Sequence, residues 1–207
     1  MEKKNDMSMV IRYVWFTVSC IILGAGIALC DHAMFGTDSF SVFVKGLSIT
    51  AHISMSLSNA LLCGAQILFA WFMDRKDVTC ATVISLFASS LGIWLFDSFL
   101  PVNGSMTVRV VLLAVGIVVY TFGVAMSQYP KCGYTTYDCF IFSLQRIFHT
   151  EHYHTLRWAA DGGNLLMGWL LGGRVGICTI LLLIGAGKMV EIWLRGAQAK
   201  FGLVEYI

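Results

Sequence analysis

Residues 10–30, VIRYVWFTVSCIILGAGIALC, form an apolar run in which Arg12 is the sole charged residue. An α-helix needs about 20 mostly apolar residues to cross the hydrocarbon core of a bilayer. Lys3 and Lys4 precede this run, as basic residues precede the apolar part of a signal peptide. However, the bulky Leu29 stands where a processing enzyme needs a small side chain. We therefore predict that the run is a first transmembrane helix.

The rest of the chain has the same apolar character. Of its 207 residues, 57% are hydrophobic and only 13% are charged, about half the ~25% charged residues of soluble domains. This composition excludes a water-soluble globule, and a net charge of +2 without a basic face gives no indication of nucleic-acid binding. Five further apolar runs are predicted to span the membrane: 55–73, 79–100, 106–127, 155–173 and 175–195. The predicted fold class is an all-α membrane protein with about six transmembrane helices in a single domain, residues 1–207.

The distribution of basic residues predicts the orientation, because Lys and Arg accumulate on the cytoplasmic side of a membrane. With a cytoplasmic N-terminus, 11 of the 14 Lys and Arg residues fall on the cytoplasmic side and three fall opposite. The three are Lys45, Arg109 and Arg174. The cytoplasmic set is Lys3, Lys4, Arg12, Arg75, Lys76, Lys131, Arg146, Arg157, Lys188, Arg195 and Lys200. Both termini are therefore predicted to be cytoplasmic.

Two segments are too polar to span the membrane and too apolar for free loops. They are residues 36–53, GTDSFSVFVKGLSITAHI, and residues 133–153, GYTTYDCFIFSLQRIFHTEHY. Apolar residues recur in both at helical spacing. We predict amphipathic helices that lie at the interface or dip into the membrane.

The two segments superpose when the chain is shifted against itself by 97 positions. The identical pairs are Val18 and Val115, Gly26 and Gly123, Ala28 and Ala125, Gly36 and Gly133, Phe43 and Phe140, and Leu47 and Leu144. With a few inserted residues, Asp38 also matches Asp138. We interpret this pattern as two repeats, residues 10–100 and 106–195. Three crossings per repeat would invert the second repeat in the membrane, as in alternating-access transporters, whereas four crossings would make the repeats parallel.

Several motifs resemble those of the YczE/YitT-like bacterial membrane proteins. In the first half they are FGTDSFSV at 35–42 and GLS at 46–48. In the second half they are LRWAAD at 156–161, GWLLGG at 168–173 and GICT at 176–179, similar to that family's R-x-x-x-D, G-x-x-L-G-G and G-x-G-T signature. Cys178 replaces a usual glycine, and Ser39 replaces a frequent proline.

The resemblance covers about residues 12–195 and implies a protein of the bacterial cytoplasmic membrane. It implies little about chemistry, since members of that family are described only as permeases or membrane accessory proteins.

Arg157 and Asp161 are the sharpest candidates for a functional site. Ionisable side chains inside a bilayer are costly and usually mark pathways or partners. At a spacing of four residues they share a helix face and can form an ion pair, and Asn164 follows on the same helix. One account is a binding or proton-coupling carboxylate whose charge the arginine sets. The other is a buried pair that fixes helix register, with Arg157 extending to the cytoplasmic edge.

Four other polar residues are candidates for the substrate or ion pathway. Asp38 and Asp138 begin the two amphipathic segments, where each either caps a helix N-terminus or lines a central cavity. Asn59 and Gln66, seven residues apart, share one helix face. Hydrogen bonds between helices are the simpler account for that pair.

The sequence gives no indication of catalysis. It lacks CxxC, P-loop and GxSxG motifs. His149, His152 and His154 flank Glu151 without metal-binding spacing. We predict no metal, no cofactor and no enzymatic activity.

The preferred function is passage of a small solute through the cytoplasmic membrane by a transporter or permease. The alternatives are a non-transporting accessory or regulatory protein and the substrate-capture subunit of an ATP-driven importer. The expected partners are the lipid bilayer and an unidentified solute. A homodimer or another membrane protein stays open as a further partner.

Overall fold

The computed structural model describes residues 8–73, 78–100, 105–149 and 153–201, and it folds them into eight α-helices. The helices are α1 (Met9–Ala33), α2 (Ser39–Ala51), α3 (Met55–Met73), α4 (Cys80–Phe99), α5 (Met106–Gln128), α6 (Thr136–Ile147), α7 (Tyr153–Leu170) and α8 (Ile177–Phe201). These ranges contain no β-strand, which confirms an all-α fold. Four of the charges used to predict the orientation, Lys3, Lys4, Arg75 and Lys76, lie outside the described residues.

Five helices are long and apolar enough to cross a bilayer, as expected of a multi-pass membrane protein. They are α1, α3, α4, α5 and residues Ile177–Ala197 of α8. Helix α7 is 18 residues long, or about 27 Å, but it is less apolar because Arg157, Asp161 and Asn164 fall within it. The sixth predicted crossing therefore stays a prediction.

The two predicted amphipathic segments form the short helices α2 and α6. With 13 and 12 residues, they extend about 20 and 18 Å, less than the ~30 Å of a hydrocarbon core. Each follows a turn at a glycine with positive φ, +88° at Gly36 and +155° at Gly133, a conformation that other residues rarely adopt. Neither helix is long enough to cross the membrane.

Helices α1 and α5 cross in antiparallel directions at the centre of the bundle. A Cβ atom on Gly26 would lie 2.5 Å from the Tyr120 backbone, and one on Gly123 would lie 2.6 Å from the backbone nitrogen of Leu23. Residue 23 of α1 thus lies beside residue 123 of α5, and residue 26 lies beside residue 120. Because the contact moves forward along α1 as it moves backward along α5, the two helices run in opposite directions. We call the end of the bundle where α1 begins the near end and the opposite end the far end.

The other long helices flank this central pair. Helix α4 runs parallel to α1, with Gly24 against Gly92, and α8 runs parallel to α5, where the indole N–H of Trp193 donates to the Thr121 hydroxyl at 3.3 Å. Helix α3 is antiparallel to α4, so it runs from the far end to the near end.

Each short helix packs against a helix of the other half of the chain. Helix α2 runs parallel to α7, with Gly46 against Gly168 and the Thr50 hydroxyl donating to the Leu171 carbonyl at 3.0 Å. Helix α6 runs parallel to α3, where the Phe140 and Phe69 rings are 5.3 Å apart. Because α3 and α7 run in opposite directions, α2 extends towards the far end and α6 towards the near end.

Backbone geometry recurs along the chain at a separation of 97 residues. Helices α1, α2 and α4 begin at Met9, Ser39 and Cys80, and helices α5, α6 and α8 begin 97 residues later at Met106, Thr136 and Ile177. The left-handed residues Met34, Gly36 and His52 likewise recur as Lys131, Gly133 and His149. No insertion is needed. The residue that follows Asp38 by 97 positions is therefore Thr135, which also caps its helix, and not Asp138 as the sequence comparison expected.

Candidate functional site

The first turns of α2 and α6 face each other in the middle of the bundle. The Asp38 carboxylate caps α2 by accepting the Ser41 N–H at 3.2 Å, and the Thr135 hydroxyl caps α6 by accepting the Asp138 N–H at 3.3 Å. The Phe40 and Tyr137 rings, one from each helix, are 5.6 Å apart. Two helix N-termini, each carrying a partial positive charge, thus converge on one place.

Asp161, at the middle of α7, joins the two short helices. One carboxylate oxygen accepts the Ser39 hydroxyl of α2 at 2.7 Å and the Tyr137 hydroxyl of α6 at 2.5 Å. The Asn164 amide donates to the same Tyr137 oxygen at 3.5 Å. The Asp161 carboxylate thus connects the first turns of both short helices through their hydroxyl groups.

Arg157 pairs with a different carboxylate from the one that the spacing predicted. Its guanidinium lies 3.4 Å from Asp138 and 5.6 Å from the centre of the Tyr137 ring. Asp138 also accepts the Thr135 hydroxyl at 3.0 Å. In the described part of the chain, the hydrogen bonds of Asp161 thus come from hydroxyl groups, and the ion pair of Arg157 is with Asp138. The predicted pair within α7 is wrong because the α6 carboxylate lies closer to the guanidinium.

Asn59 and Gln66 occupy different surroundings. The Asn59 amide donates to the Ser89 and Ser90 hydroxyls at 3.2 and 3.0 Å, which joins α3 to α4 and bears out the predicted hydrogen bonding between helices. Asn59 also reaches the wall of the cavity described below. Gln66 is buried but does not line that cavity.

A cavity of about 560 Å³ opens from the convergence of α2 and α6. Such a volume suits a small molecule. The charged side chains in its wall are those of Asp38, Asp138, Arg157, Asp161, Lys188 and Glu191, and the aromatic ones are those of Phe40, Tyr120, Tyr137 and Trp158. Four carboxylates and two cations give this wall a net negative formal charge.

The cavity continues towards the near end of the bundle. A second space of about 720 Å³ shares five lining residues with it: Ser127, Gln128, Thr135, Asp138 and Arg157. This second space is bounded by the α5–α6 connection, where the Cys132 thiol contacts the Arg12 carbonyl near the start of α1. Burial raises the pKa of the Cys132 thiol, so this group stays protonated at neutral pH.

One wall of the cavity lies between α7 and α8, which do not pack extensively against each other in the described part of the chain. Lys188 and Glu191 are exposed there, and both follow the apolar first part of α8, residues 177–187. Glu191 forms an ion pair with Arg195, four residues further along α8. Charged groups at membrane depth face protein or water rather than lipid tails. We therefore expect water rather than lipid tails around Lys188 and Glu191.

The far end of the bundle is closed. Lys45 of α2 and Asp31 of α1 form an ion pair at 2.6 Å. The Cys178 N–H donates to the Phe35 carbonyl at 3.0 Å, which ties the start of α8 to the turn before α2. Contact with the outside is thus restricted at the far end and open at the near end.

Sequence reasoning identified the charged residues of this site and missed its hydroxyl groups. Four of the predicted charged residues line one cavity: Asp38, Asp138, Arg157 and Asp161. Asn59 also lines this cavity, and Asn164 donates a hydrogen bond to the Tyr137 oxygen. Ser39 and Tyr137 were overlooked because uncharged residues in an amphipathic segment carry no cost that marks them. The described residues hold no group of three or more His, Cys, Asp or Glu side chains placed to bind a metal. His152 and Glu151 lie outside those residues.

Comparisons with known proteins give relatives without an assigned activity. A family model described as "Family of unknown function (DUF6198)" matches residues 10–195. An uncharacterized protein of Haemophilus influenzae is 24% identical over 174 residues, covering 84% of this chain and 79% of that relative. The uncharacterized protein YyaS of Bacillus subtilis is 22% identical over 196 residues, covering 92% of this chain and 96% of the relative. No solved structure matches the chain significantly.

Proposed function

We propose that this chain, which belongs to the DUF6198 family of proteins of unknown function, carries a small solute across the cytoplasmic membrane of a bacterium. The observation that carries the proposal is the cavity that opens at the near end and stops at the opposed N-termini of α2 and α6. In carriers, substrates bind near the membrane midplane, where interrupted helices present their ends. Relatives in two bacteria support the cellular setting.

We further infer that the two halves are inverted repeats. Supporting this, helix starts and left-handed residues recur 97 positions apart. Gly26 and Gly123 are 97 positions apart, and so are Leu23 and Tyr120. The contact of Gly26 with Tyr120 therefore corresponds to the contact of Gly123 with Leu23. The first helices of the halves are antiparallel, so exchange of the halves also exchanges the two sides of the membrane. Inverted repeats of this kind are the framework of many secondary transporters.

The proposed orientation places the near end, with both termini, in the cytoplasm. The basic residues support it, because Arg12, Lys131 and Arg146 lie towards the near end and Lys45 and Arg174 towards the far end. The cavity then faces the cytoplasm. The similarity to YczE/YitT-like proteins is kept as part of the same proposal, since it too implies a permease or accessory protein.

Asp161 is proposed to bind the solute or a coupling proton. It is the carboxylate at the end of the cavity, and its hydrogen bonds connect it to both short helices. A change of charge at this position would therefore reach elements of both halves. Among the described residues, Arg157 forms its ion pair with Asp138, and Asp161 accepts hydrogen bonds from hydroxyl groups. A cationic solute or a proton would complement the Asp161 carboxylate.

The test is solute uptake by purified protein in liposomes. Labelled amino acids, organic cations, organic acids and sugars are supplied with and without a proton gradient. We expect at least one class to accumulate, and Asp161→Asn to reduce its uptake at least tenfold while the protein stays monodisperse. Asp97→Asn is the matched control, because Asp97 is a partly exposed carboxylate outside the cavity.

Two other outcomes would replace this proposal. Copurification with an ATPase, together with uptake only in its presence, would identify a capture subunit of an importer. Absence of uptake and of binding for every class, in protein that copurifies with another membrane protein, would identify an accessory protein.

A further inference from the structure

The two halves resemble each other in helix order and packing, and two of the differences between them concern the side on which the cavity opens. When each residue is exchanged for the one 97 positions away, the packing of α1 on α4 becomes that of α5 on α8, and the packing of α2 on α7 becomes that of α6 on α3. Even the contact of Gly36 with Gly176 has its counterpart in that of Gly133 with Thr79. The differences stand out against this agreement.

The first difference concerns the last two helices of each half. In the first half, α3 and α4 are joined by the Asn59 hydrogen bonds to Ser89 and Ser90. The counterparts of Asn59 and Ser90 are Leu156 and Gly187, and Gly187 lines the open cavity between α7 and α8. One helix pair is thus closed towards the far end while its counterpart is open towards the near end.

The second difference has the same direction. Asp31 and Lys45 form the ion pair that closes the far end. Their counterparts, Gln128 and Phe142, line the open space at the near end. Both departures from symmetry therefore describe one state, closed at the far end and open at the near end.

We propose that the structure is one of two conformations in which the halves exchange roles. In the second, α7 closes on α8, which brings Leu156 against Gly187. There α3 separates from α4, the Asp31–Lys45 pair breaks, and the cavity opens at the far end. Because one half already adopts the closed arrangement and the other half the open one, the second state needs no new backbone geometry at the glycine turns. This inference rests on the proposed carrier function and specifies its two states.

Cysteine cross-linking in membrane vesicles tests the proposal. Leu156→Cys with Gly187→Cys places a thiol on each helix, and a Cβ at Gly187 meets no atom within 4 Å, so folding is retained. A disulfide requires Cα atoms within about 7 Å, which closure of α7 on α8 provides. We expect oxidation with copper phenanthroline to give the cross-linked peptide by mass spectrometry. Leu170→Cys with Ile192→Cys, at opposite ends of the same helices, is the control pair that neither state joins.

A third substitution tests whether the two ends are coupled. Adding Lys45→Ala to the Leu156→Cys, Gly187→Cys protein removes the far-end ion pair and favours the second state. We expect the cross-linking rate to rise about fivefold, the population change that the loss of one partly exposed ion pair can produce. Arg174→Ala removes an exposed far-end cation and should leave the rate unchanged.

Two results would overturn the exchange of roles. One is cross-linking of the Leu156 and Gly187 positions no greater than that of the control pair. The other is an equal rate with Lys45→Ala and Arg174→Ala. Because no solute is present in the cross-linking experiment, its result is independent of uptake. Failed cross-linking with retained uptake rejects the exchange of roles alone. The expected cross-linking without uptake in any solute class rejects the carrier function alone.

Discussion

At the level of single residues, the Asp161 carboxylate is held by hydroxyl groups of two helices and by the positive ends of both. Ser39 of α2 and Tyr137 of α6 both donate to one of its oxygens. A polar group inside a membrane is costly unless hydrogen bonds replace its hydration. The two hydroxyl groups supply such hydrogen bonds to Asp161 in the wall of the cavity.

We predict that Tyr137→Phe lowers the free energy of unfolding by about 1.5–3 kcal/mol, the usual loss for a hydrogen bond to a charged group. The ring contact with Phe40 is retained, so the change isolates the hydroxyl. Denaturant titration in detergent micelles measures the effect. Tyr134→Phe is the control, since the Tyr134 side chain is 46% exposed and its ring packs on Phe142. Equal losses for the two substitutions would contradict the assigned hydrogen bond.

The rule that intramembrane charges mark function predicted much of the site from sequence. It selected Asp38, Asp138, Arg157 and Asp161, all of which line one cavity. It paired Arg157 with Asp161 because spacing within a helix is visible in a sequence, whereas the approach of α6 to α7 is not. Tyr137 was missed for a related reason, since its role depends on a residue 24 positions away.

At the level of helices, α1 and α5 pack closely where they cross. A side chain at Gly26 or Gly123 would overlap the backbone of the opposite helix. Small residues allow this approach, and van der Waals contact is the main source of helix association in lipid. The crossing therefore depends on both glycines.

We predict that Gly26→Ala reduces the yield of folded, monodisperse protein severalfold and destabilises it by about 1–3 kcal/mol, the range for overpacking. The added Cβ would lie 2.5 Å from the backbone of Tyr120, which cannot move without shifting α5. Gly162→Ala is the matched control, because nothing lies within 4 Å of a Cβ there. Size-exclusion profiles and unfolding titrations should show the control unchanged or slightly stabilised by the higher helix propensity of alanine. A harmless Gly26→Ala would contradict the close crossing.

Helix positions were well predicted from apolar runs, because a membrane span must be long and continuous to satisfy its backbone. The amphipathic segments were also recognised, and α2 and α6 form within them. Their direction was not predicted. Whether such a helix lies flat or points inward depends on its packing partner, here α7 for α2 and α3 for α6, and amphipathic periodicity does not contain that information.

At the level of the whole molecule, the two halves of the sequence carry similar patterns while the cavity opens at one end. A sequence specifies every conformation that its protein visits. The α3–α4 pair is closed and the α7–α8 gap is open in this structure, and local sequence patterns do not show which of two similar helix pairs is closed. The similarity of the two halves was therefore visible in the residues, but the side on which the cavity opens was not.

Basic residues nevertheless predict which side of the membrane each end occupies, and this prediction determines the direction from which the cavity loads. With the near end in the cytoplasm, Val175→Cys, between α7 and α8 at the far end, should react with a membrane-impermeant maleimide in intact cells. The native Cys80 is exposed at the near end and should react only after permeabilisation. The unsubstituted protein is the control, since its other described cysteines are buried or partly buried.

Labelling of Cys80 in intact cells, with Val175→Cys protected, would reverse the orientation and place the open cavity outside. The distribution of 11 basic residues against three argues against that result, because moving so many charges across the membrane opposes the preference that directs insertion.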